Sequence, residues 1–213
     1  MRVPLSLLHV EYEAGDALGK LLALVSQAPI FVMVAYATLI ASRRDLGTAS
    51  LALGQLLNEA LNYALKHALR EPRPASTPGH APEFGMPSNH AQFAGFAAAA
   101  VALWAARRWR VGARWRALAA AAAAAGAAAV CASRLYLGYH TRAQVAAGAA
   151  VGAAAGAAWH AFTEAALRPR FAALAATRAA RWALVRDCSD VNVIEAEYAA
   201  VAGAGKRGGG KRA

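Results

Sequence analysis

Charge is scarce in this sequence. Only 16% of its 213 residues are Asp, Glu, Lys or Arg and only 8% are aromatic, against a hydrophobic share of 58%. An ordinary soluble domain carries about a quarter charged residues, so a soluble protein with a single core is excluded and one membrane-embedded domain is expected. Cysteine is almost missing as well. Cys131 lies inside an apolar run and Cys188 in a charged tail, positions poorly suited to pairing and without metal-ligand spacing, so neither a disulfide nor a zinc site is expected. The first twenty residues lack the basic start, short apolar stretch and small-residue cleavage site of a removable signal. They carry Glu11, Glu13 and Asp16 ahead of the first long apolar run, which is therefore expected to serve as the insertion signal itself. The net charge of +11 does not point to nucleic acid, because the basic residues fall between apolar runs rather than on a polar globular surface.

What is present is a series of five apolar stretches: Leu21–Ala41, Leu46–Leu65, Ala91–Ala106, Ala117–Ala132 and Ala143–Phe162. In lipid the backbone must satisfy its own hydrogen bonds, so all five read as helices and the fold class is an all-α integral membrane bundle. The third and fourth are short for a span, and the fourth is nearly all alanine, which reads as compositional bias over 119–129. Gly148, Gly152 and Gly156 repeat at every fourth residue, placing small surfaces on one face where another helix can approach.

Positive charge sets the orientation. Arg43 and Arg44 lie in the first connection, Arg107, Arg108, Arg110, Arg114 and Arg116 in the third, and nine Lys or Arg follow Phe162; by the positive-inside rule these are cytoplasmic. Alternation then brings the amino terminus, the loop from Lys66 to His90 and the loop from Ser133 to Arg142 together on the other side. The expected organisation is a segment over 1–20 on that other side, which is the lumen if the membrane is that of the endoplasmic reticulum, a membrane-embedded domain over 21–163, a cytoplasmic amphipathic tail over 164–202 and a basic disordered end over 203–213, able to touch anionic lipid.

Those two loops hold the chemistry. The second helix runs out in Lys66-His-Ala-Leu-Arg-Glu-Pro-Arg73-Pro74, where prolines stop it between two cations. A lone cation here would read as a snorkelling flank. Pro87-Ser88-Asn89-His90 opens the third helix, with Ser88 suited to cap it and its first N–H groups forming an anion site. Ser133-Arg134-Leu-Tyr-Leu-Gly-Tyr-His140-Thr-Arg-Ala-Gln144 adds a further Arg and His. Cations and N–H groups to hold phosphate oxygens, one imidazole to attack and one to protonate the leaving oxygen are the requirements of phosphoryl transfer. Glu59 and Asn62 share a helix face with Lys66, and one of them is expected to steady it, since a carboxylate in an apolar helix usually faces a polar interior.

Lys-x6-Arg-Pro, Pro-Ser-x-His and Ser-Arg-x5-His, in this order and on one side, resemble the three motifs of the type 2 phosphatidic acid phosphatase superfamily. Within it, Phe84-Gly-Met-Pro-Ser-Asn-His-Ala-Gln-Phe93, Asn58-Glu59, Leu61-Asn-Tyr-Ala-Leu-Lys66 and Tyr136-Leu-Gly-Tyr-His-Thr141 are similar to the dolichyldiphosphatase branch. So are His9-Val-Glu-Tyr-Glu-Ala-Gly-Asp16 and Leu184-Val-Arg-Asp187. The resemblance implies that His140 is the nucleophile and His90 the general acid. Lys66, Arg73, Ser88, Asn89 and Arg134 would hold the phosphate, and no metal or other cofactor would be required. It further implies a polyprenyl (dolichyl) diphosphate substrate, an endoplasmic reticulum membrane and a site facing the lumen; a broader lipid phosphate or prenyl diphosphate phosphatase is the alternative. Two positions depart from the superfamily pattern: Asn89 replaces a common glycine, and Gln144 replaces the aspartate that usually orients the nucleophile. Gln144 is expected to leave His140 without a charged partner.

Overall fold

A computed structural model describes residues 2–5, 10–75, 77, 84–109, 111–188 and 191–208. His9, Arg110 and the last five residues of the basic end, features of the sequence reading, lie outside that set. The chain opens on a hairpin that periodicity did not suggest: β1 (Arg2–Leu5) runs antiparallel to β2 (Val10–Glu13), with Arg2 opposite Glu13 and Leu5 opposite Val10. The elements that follow it are helices.

Asp16 caps α1 (Ala17–Val25) by accepting the Gly19 N–H at 2.9 Å, which satisfies one of the orphan donors of a first turn. The stretch expected as one helix from Leu21 is broken. α1 ends at Ser26 and Gln27, and α2 (Ala28–Arg43) restarts with Pro29 in its first turn, because proline has no N–H to continue the ladder but fits a helix start. Leu18, Leu21, Leu24, Ile30, Phe31 and Val34 are exposed along the outer faces of the two pieces, as lipid contact requires.

The remaining spans are α3 (Leu46–Leu69), α4 (Asn89–Arg107), α5 (Ala113–Tyr136) and α6 (Arg142–Phe162). α3, α4 and α5 run two to four residues past one or both ends of their apolar stretches, since caps rather than apolarity fix helix ends. Asp45 caps α3 through the Thr48 N–H at 2.8 Å. Arg70 closes α3 in the left-handed conformation. Thr141 and Gln144 form a reciprocal capping box at the start of α6. The runs Ala17–Arg43, Ala113–Tyr136 and Arg142–Ala175 are each long and apolar enough to cross a membrane; α3 and α4 turn Asn58, Asn62 and Gln92 into the bundle, which lowers their apolarity without exposing them to lipid.

α4 and α6 form the tight seam of the bundle. A Cβ at Gly148, Gly152 or Gly156 would collide with the carbonyl oxygens of Ser88, Gln92 and Phe96 respectively, so the four-residue glycine spacing is a packing requirement, as its sequence implied. On α5 the opposite holds: Gly126 faces open space and only Val130, Ser133 and Arg134 are buried. Cys131 and Cys188 are both free thiols.

After a π-helical turn (Thr163–Leu167) and a 3-10 turn (Arg168–Arg170), the tail carries α7 (Phe171–Ala175), α8 (Arg178–Trp182) and α9 (Val193–Gly208). It docks on the first connection: the Arg186 N–H donates to Arg44 and the Leu46 N–H donates back to Arg186, at 2.9 and 3.0 Å. The basic connection and the tail therefore share one end of the bundle. α9 also carries helix through Gly203–Gly208, where disorder was expected. The alanines and glutamates that precede those residues propagate it against the cost of the glycines.

Candidate active site

At the opposite end, the three motif segments meet. Lys66, in the last turn of α3, donates from Nζ to the Phe84 carbonyl at 3.2 Å. Beyond the Arg70 cap the chain is extended, and Pro72 forms an isolated bridge with Phe84. This carries Arg73 across to the third motif, where its Nη1 donates to the Tyr139 carbonyl at 3.1 Å and lies 3.0 Å from His140 Nε2.

The second motif enters through a cis Met86–Pro87 peptide. Ser88 occupies the N-cap position of α4, but its side chain does not cap the helix as expected. The Ser88 N–H donates to the Gln144 carbonyl at 3.0 Å, which turns the hydroxyl away from the first turn, and Oγ is buried without a hydrogen-bond partner among the described residues. One residue on, the Asn89 side chain lies beside Glu59. His90 lies close to the backbone of Ser26, at the break between α1 and α2, so that break borders the site.

α5 delivers the third motif. Arg134 is buried, and its guanidinium lies 4.1 Å over the Tyr139 ring. Its Nε and Nη1 have no hydrogen-bond partner among the described residues. The turn that follows needs a left-handed residue, supplied by Gly138 at φ 76°, and it folds the Tyr139 and His140 N–H groups back onto the Arg134 carbonyl at 3.1 and 3.3 Å. The Tyr139 hydroxyl accepts the Glu11 N–H at 2.9 Å. Thus the amino-terminal hairpin anchors the ring on which Arg134 rests.

His140 is buried, with Nδ1 3.1 Å from Gln144 Oε1. Burial, reinforced by the charges of Arg73 and Arg134, pushes its pKa down to about 3. At neutral pH the imidazole is uncharged and keeps a lone pair. Gln144 is its direct partner, as the spacing of four implied, so Nδ1 meets a neutral amide rather than a carboxylate. Gln144 Nε2 donates to Glu71 Oε1 at 2.9 Å and to the Pro72 carbonyl at 2.8 Å. A carboxylate therefore stands one link away.

The two residues of the supporting pair take different parts. Asn62 donates to the Pro87 carbonyl at 3.3 Å and to Gln92 Oε1 at 2.7 Å, so it ties α3 to the start of α4 rather than steadying Lys66. Glu59 acts on Lys66 by charge and lies beside Asn89. Gln92 completes the tie by donating to the carbonyl and side chain of Asn58, each at 3.0 Å. Glu71, Tyr139, Ser26 and Gln92 went unpredicted. Glu71 lies within the first motif, and a buried glutamine in a run of small residues is a polar signal that points to Gln92.

Taken together, the motif segments define a membrane-embedded all-α protein with an uncharged imidazole beside arginines and a lysine, an arrangement fitted to an anionic, phosphate-like group. Among the described residues no group of three or more His, Cys, Asp or Glu is placed to hold a metal ion. The sequence pattern of the PAP2 superfamily matches residues 47–168, more than half of the chain, and the protein belongs to that superfamily. It is similar to Dolichyldiphosphatase 1 of Homo sapiens, with 45% identity over 95 residues, 44% of this chain and 40% of that one. The Dolichyldiphosphatase of Saccharomyces cerevisiae is 32% identical over 100 residues, 44% of this chain and 42% of that one. The match thus spans about two fifths of the length of these curated relatives. Among solved structures, the transmembrane PAP2 type phosphatidylglycerolphosphate phosphatase from Bacillus subtilis superposes with a TM-score of 0.62 over 71% of this chain and 79% of that one, at 21% identity. At that identity the likeness establishes the common fold.

Proposed function

We propose that this membrane protein hydrolyses dolichyl diphosphate to dolichyl phosphate and inorganic phosphate through a phosphohistidine on His140. The observation that carries the reading is the state of His140: an uncharged imidazole whose Nε2 faces Arg73, with Nδ1 held by Gln144. Similarity to relatives named as dolichyldiphosphatases supports the choice of substrate.

In this mechanism the terminal phosphate enters among Lys66, Arg73 and Arg134, takes the Ser88 hydroxyl and the amino-terminal N–H groups of α4, and draws Arg73 off the His140 lone pair. Nε2 then forms a bond to phosphorus while the anhydride bond to the lipid phosphate breaks, and His90, protonated once the bound diphosphate has brought its negative charge among the cations, gives that proton to the departing oxygen. Water, deprotonated by His90, next attacks phosphorus, breaks the N–P bond and restores neutral His140. Asn89 lines the pocket and lies beside Glu59. The catalytic unit is residues 21–163, with 1–20 lumenal and 164–202 cytoplasmic. An endoplasmic reticulum location with the site at the lumenal face lets the prenyl tail remain in lipid while the diphosphate meets water.

Phosphate release by purified protein across a panel of dolichyl diphosphate, dolichyl phosphate, phosphatidate and other prenyl diphosphates tests this reading. Preference for dolichyl diphosphate is the expected result. Equal rates on phosphatidate would replace it with a broad lipid phosphatase. A glycosylation acceptor inserted near Ser76 should be modified in membranes and one near Gly112 should not; the reverse pattern would invert the proposed topology.

A further inference from the structure

The contacts of Gln144 fix more than its position. Its Nε2 points at two groups that can only accept, the Glu71 carboxylate at 2.9 Å and the Pro72 carbonyl at 2.8 Å, so the amide cannot be turned round without facing oxygen with oxygen. Oε1 is then the atom 3.1 Å from His140 Nδ1 and 3.3 Å from the Thr141 N–H. It can only accept, so Nδ1 carries the proton and Nε2 carries the lone pair. The tautomer needed for attack is set by the amide, and the amide is set by Glu71.

The surrounding chain is built to hold that orientation. Gln144 is fully buried. A Cβ at Gly85 would lie 2.6 to 2.8 Å from its amide atoms, so only glycine lets the loop close over them. The Gly85 N–H in turn donates to the Glu71 carbonyl at 2.7 Å, fastening the backbone of the residue that supplies the carboxylate.

We infer that Glu71 is a positioning residue for the nucleophile, acting through Gln144 as the charged end of a His140–Gln144–Glu71 relay. The inference rests on the reading of His140 as nucleophile. When Nε2 bonds to phosphorus and the anhydride electron pair leaves with the lipid phosphate, Nδ1 keeps its proton and the ring becomes positive. An amide whose N–H is drawn toward a carboxylate offers a more negative oxygen to that ring, while no proton moves along the relay. Glu71 and Gln144 thereby supply in two steps what a single aspartate supplies directly.

The test compares Glu71→Gln, Glu71→Asp, Gln144→Glu and the double variant Glu71→Gln/Gln144→Glu, with dolichyl diphosphate as substrate and each protein checked for folding by thermal unfolding in detergent. Glu71→Gln keeps an acceptor for Gln144 but removes the charge, so kcat should fall roughly tenfold to a hundredfold, the range known for outer partners of functional histidines, with KM changed by less than about threefold. Glu71→Asp should recover part of kcat. Gln144→Glu sets two carboxylates face to face and should be worse than either. In the double variant the charge moves next to His140 and the amide moves outward, so kcat should return to within about tenfold of the parent. Parent-like kcat in Glu71→Gln, or a folded double variant no better than Glu71→Gln, would overturn the relay. Should Glu71→Gln not be obtained folded, the double variant decides alone, with activity supporting the relay and a folded but inactive protein refuting it. Phosphohistidine trapping on the parent and His140→Ala runs alongside. Loss of the nucleophile reading appears there as turnover without His140, whereas failure of the relay alone leaves His140 essential and Glu71 dispensable.

Discussion

Each end of the bundle places a buried histidine among arginines. At the end shared by the tail and the first connection, His160 lies near Arg107 and Arg108, and both Arg108 and Arg168 form ion pairs with Glu164. At the other end, Arg134 meets no carboxylate among the described residues; it rests on an aromatic face, with two nitrogens unpartnered. The residue types are the same, and what differs is whether the charge is already neutralised. A buried cation closed by its own carboxylate contributes to architecture, whereas one held by a ring and carbonyl groups is available to an anionic ligand. This contrast picks out the site without reference to motifs.

The strongest way to break the contrast is to remove each histidine in turn. His140→Ala should abolish phosphoenzyme formation and lower turnover at least about a thousandfold, while His160→Ala should leave turnover within about twofold. A trapped phosphoenzyme in His140→Ala would end the role assigned to it. Next in size are the arginines. Arg134→Ala should cost on the order of a hundredfold in kcat/KM, the scale for removing one donor to a developing anion, whereas Arg108→Ala should show in thermal unfolding, because Glu164 loses one of its two arginine partners, and leave kcat/KM near that of the parent. Equal kinetic losses at the two arginines would erase the distinction between the ends.

The glycine seam joins the two ends and separates them by a smaller effect. Gly148 packs against Ser88 at the site, and Gly156 packs against Phe96 well away from it. Alanine at either position must push α4 off α6, so both variants should unfold at lower temperature. Only Gly148→Ala shifts the residue that opens the site, and a misplacement of about 1 Å is enough to cost up to about a hundredfold in rate. Activity per folded molecule should therefore drop in Gly148→Ala and hold in Gly156→Ala; a matched loss would make the seam a stability element alone.

Much of this was legible in the chain. The apolar runs, the glycine period and the three motif segments are local patterns, and each depends on residues a few positions apart. The break at Ser26 and Gln27 was missed because two polar residues do not end an apolar run that continues on both sides, and composition cannot tell a first-turn proline from an interior kink. Ser88 had the right residue type for a side-chain cap, but its backbone is committed to Gln144, fifty-six residues away in sequence. The roles of Asn62, Glu71 and Tyr139 likewise arise from partners in other segments. Helical spacing put Asn62 on the face of Lys66 correctly, yet its bonds go to α4.

The smallest effect concerns acid stability, and it follows from the same absence of neutralising charge at the site end. His140 titrates at about 3 in the folded protein, against about 6.5 for an ordinary histidine in an unfolded chain. Above pH 6.5 both states are unprotonated and His140 adds no pH dependence. As pH falls from 6.5 toward 3, the unfolded chain takes up a proton that the folded site refuses, so stability is lost through that window at up to about 1.4 kcal/mol per pH unit and levels off below it. The thermal midpoint of the detergent-solubilised protein should fall accordingly between pH 6.5 and 4. His140→Gln, which cannot titrate, should flatten that fall. Orthovanadate, a phosphate mimic, should do the same in part in the parent by placing negative charge among Lys66, Arg73 and Arg134 and relieving the repulsion that adds to burial in keeping His140 neutral. A slope identical in the parent, His140→Gln and the vanadate-bound protein would show that His140 is not held neutral by those cations, and the electrostatic contrast between the two ends would lose its basis.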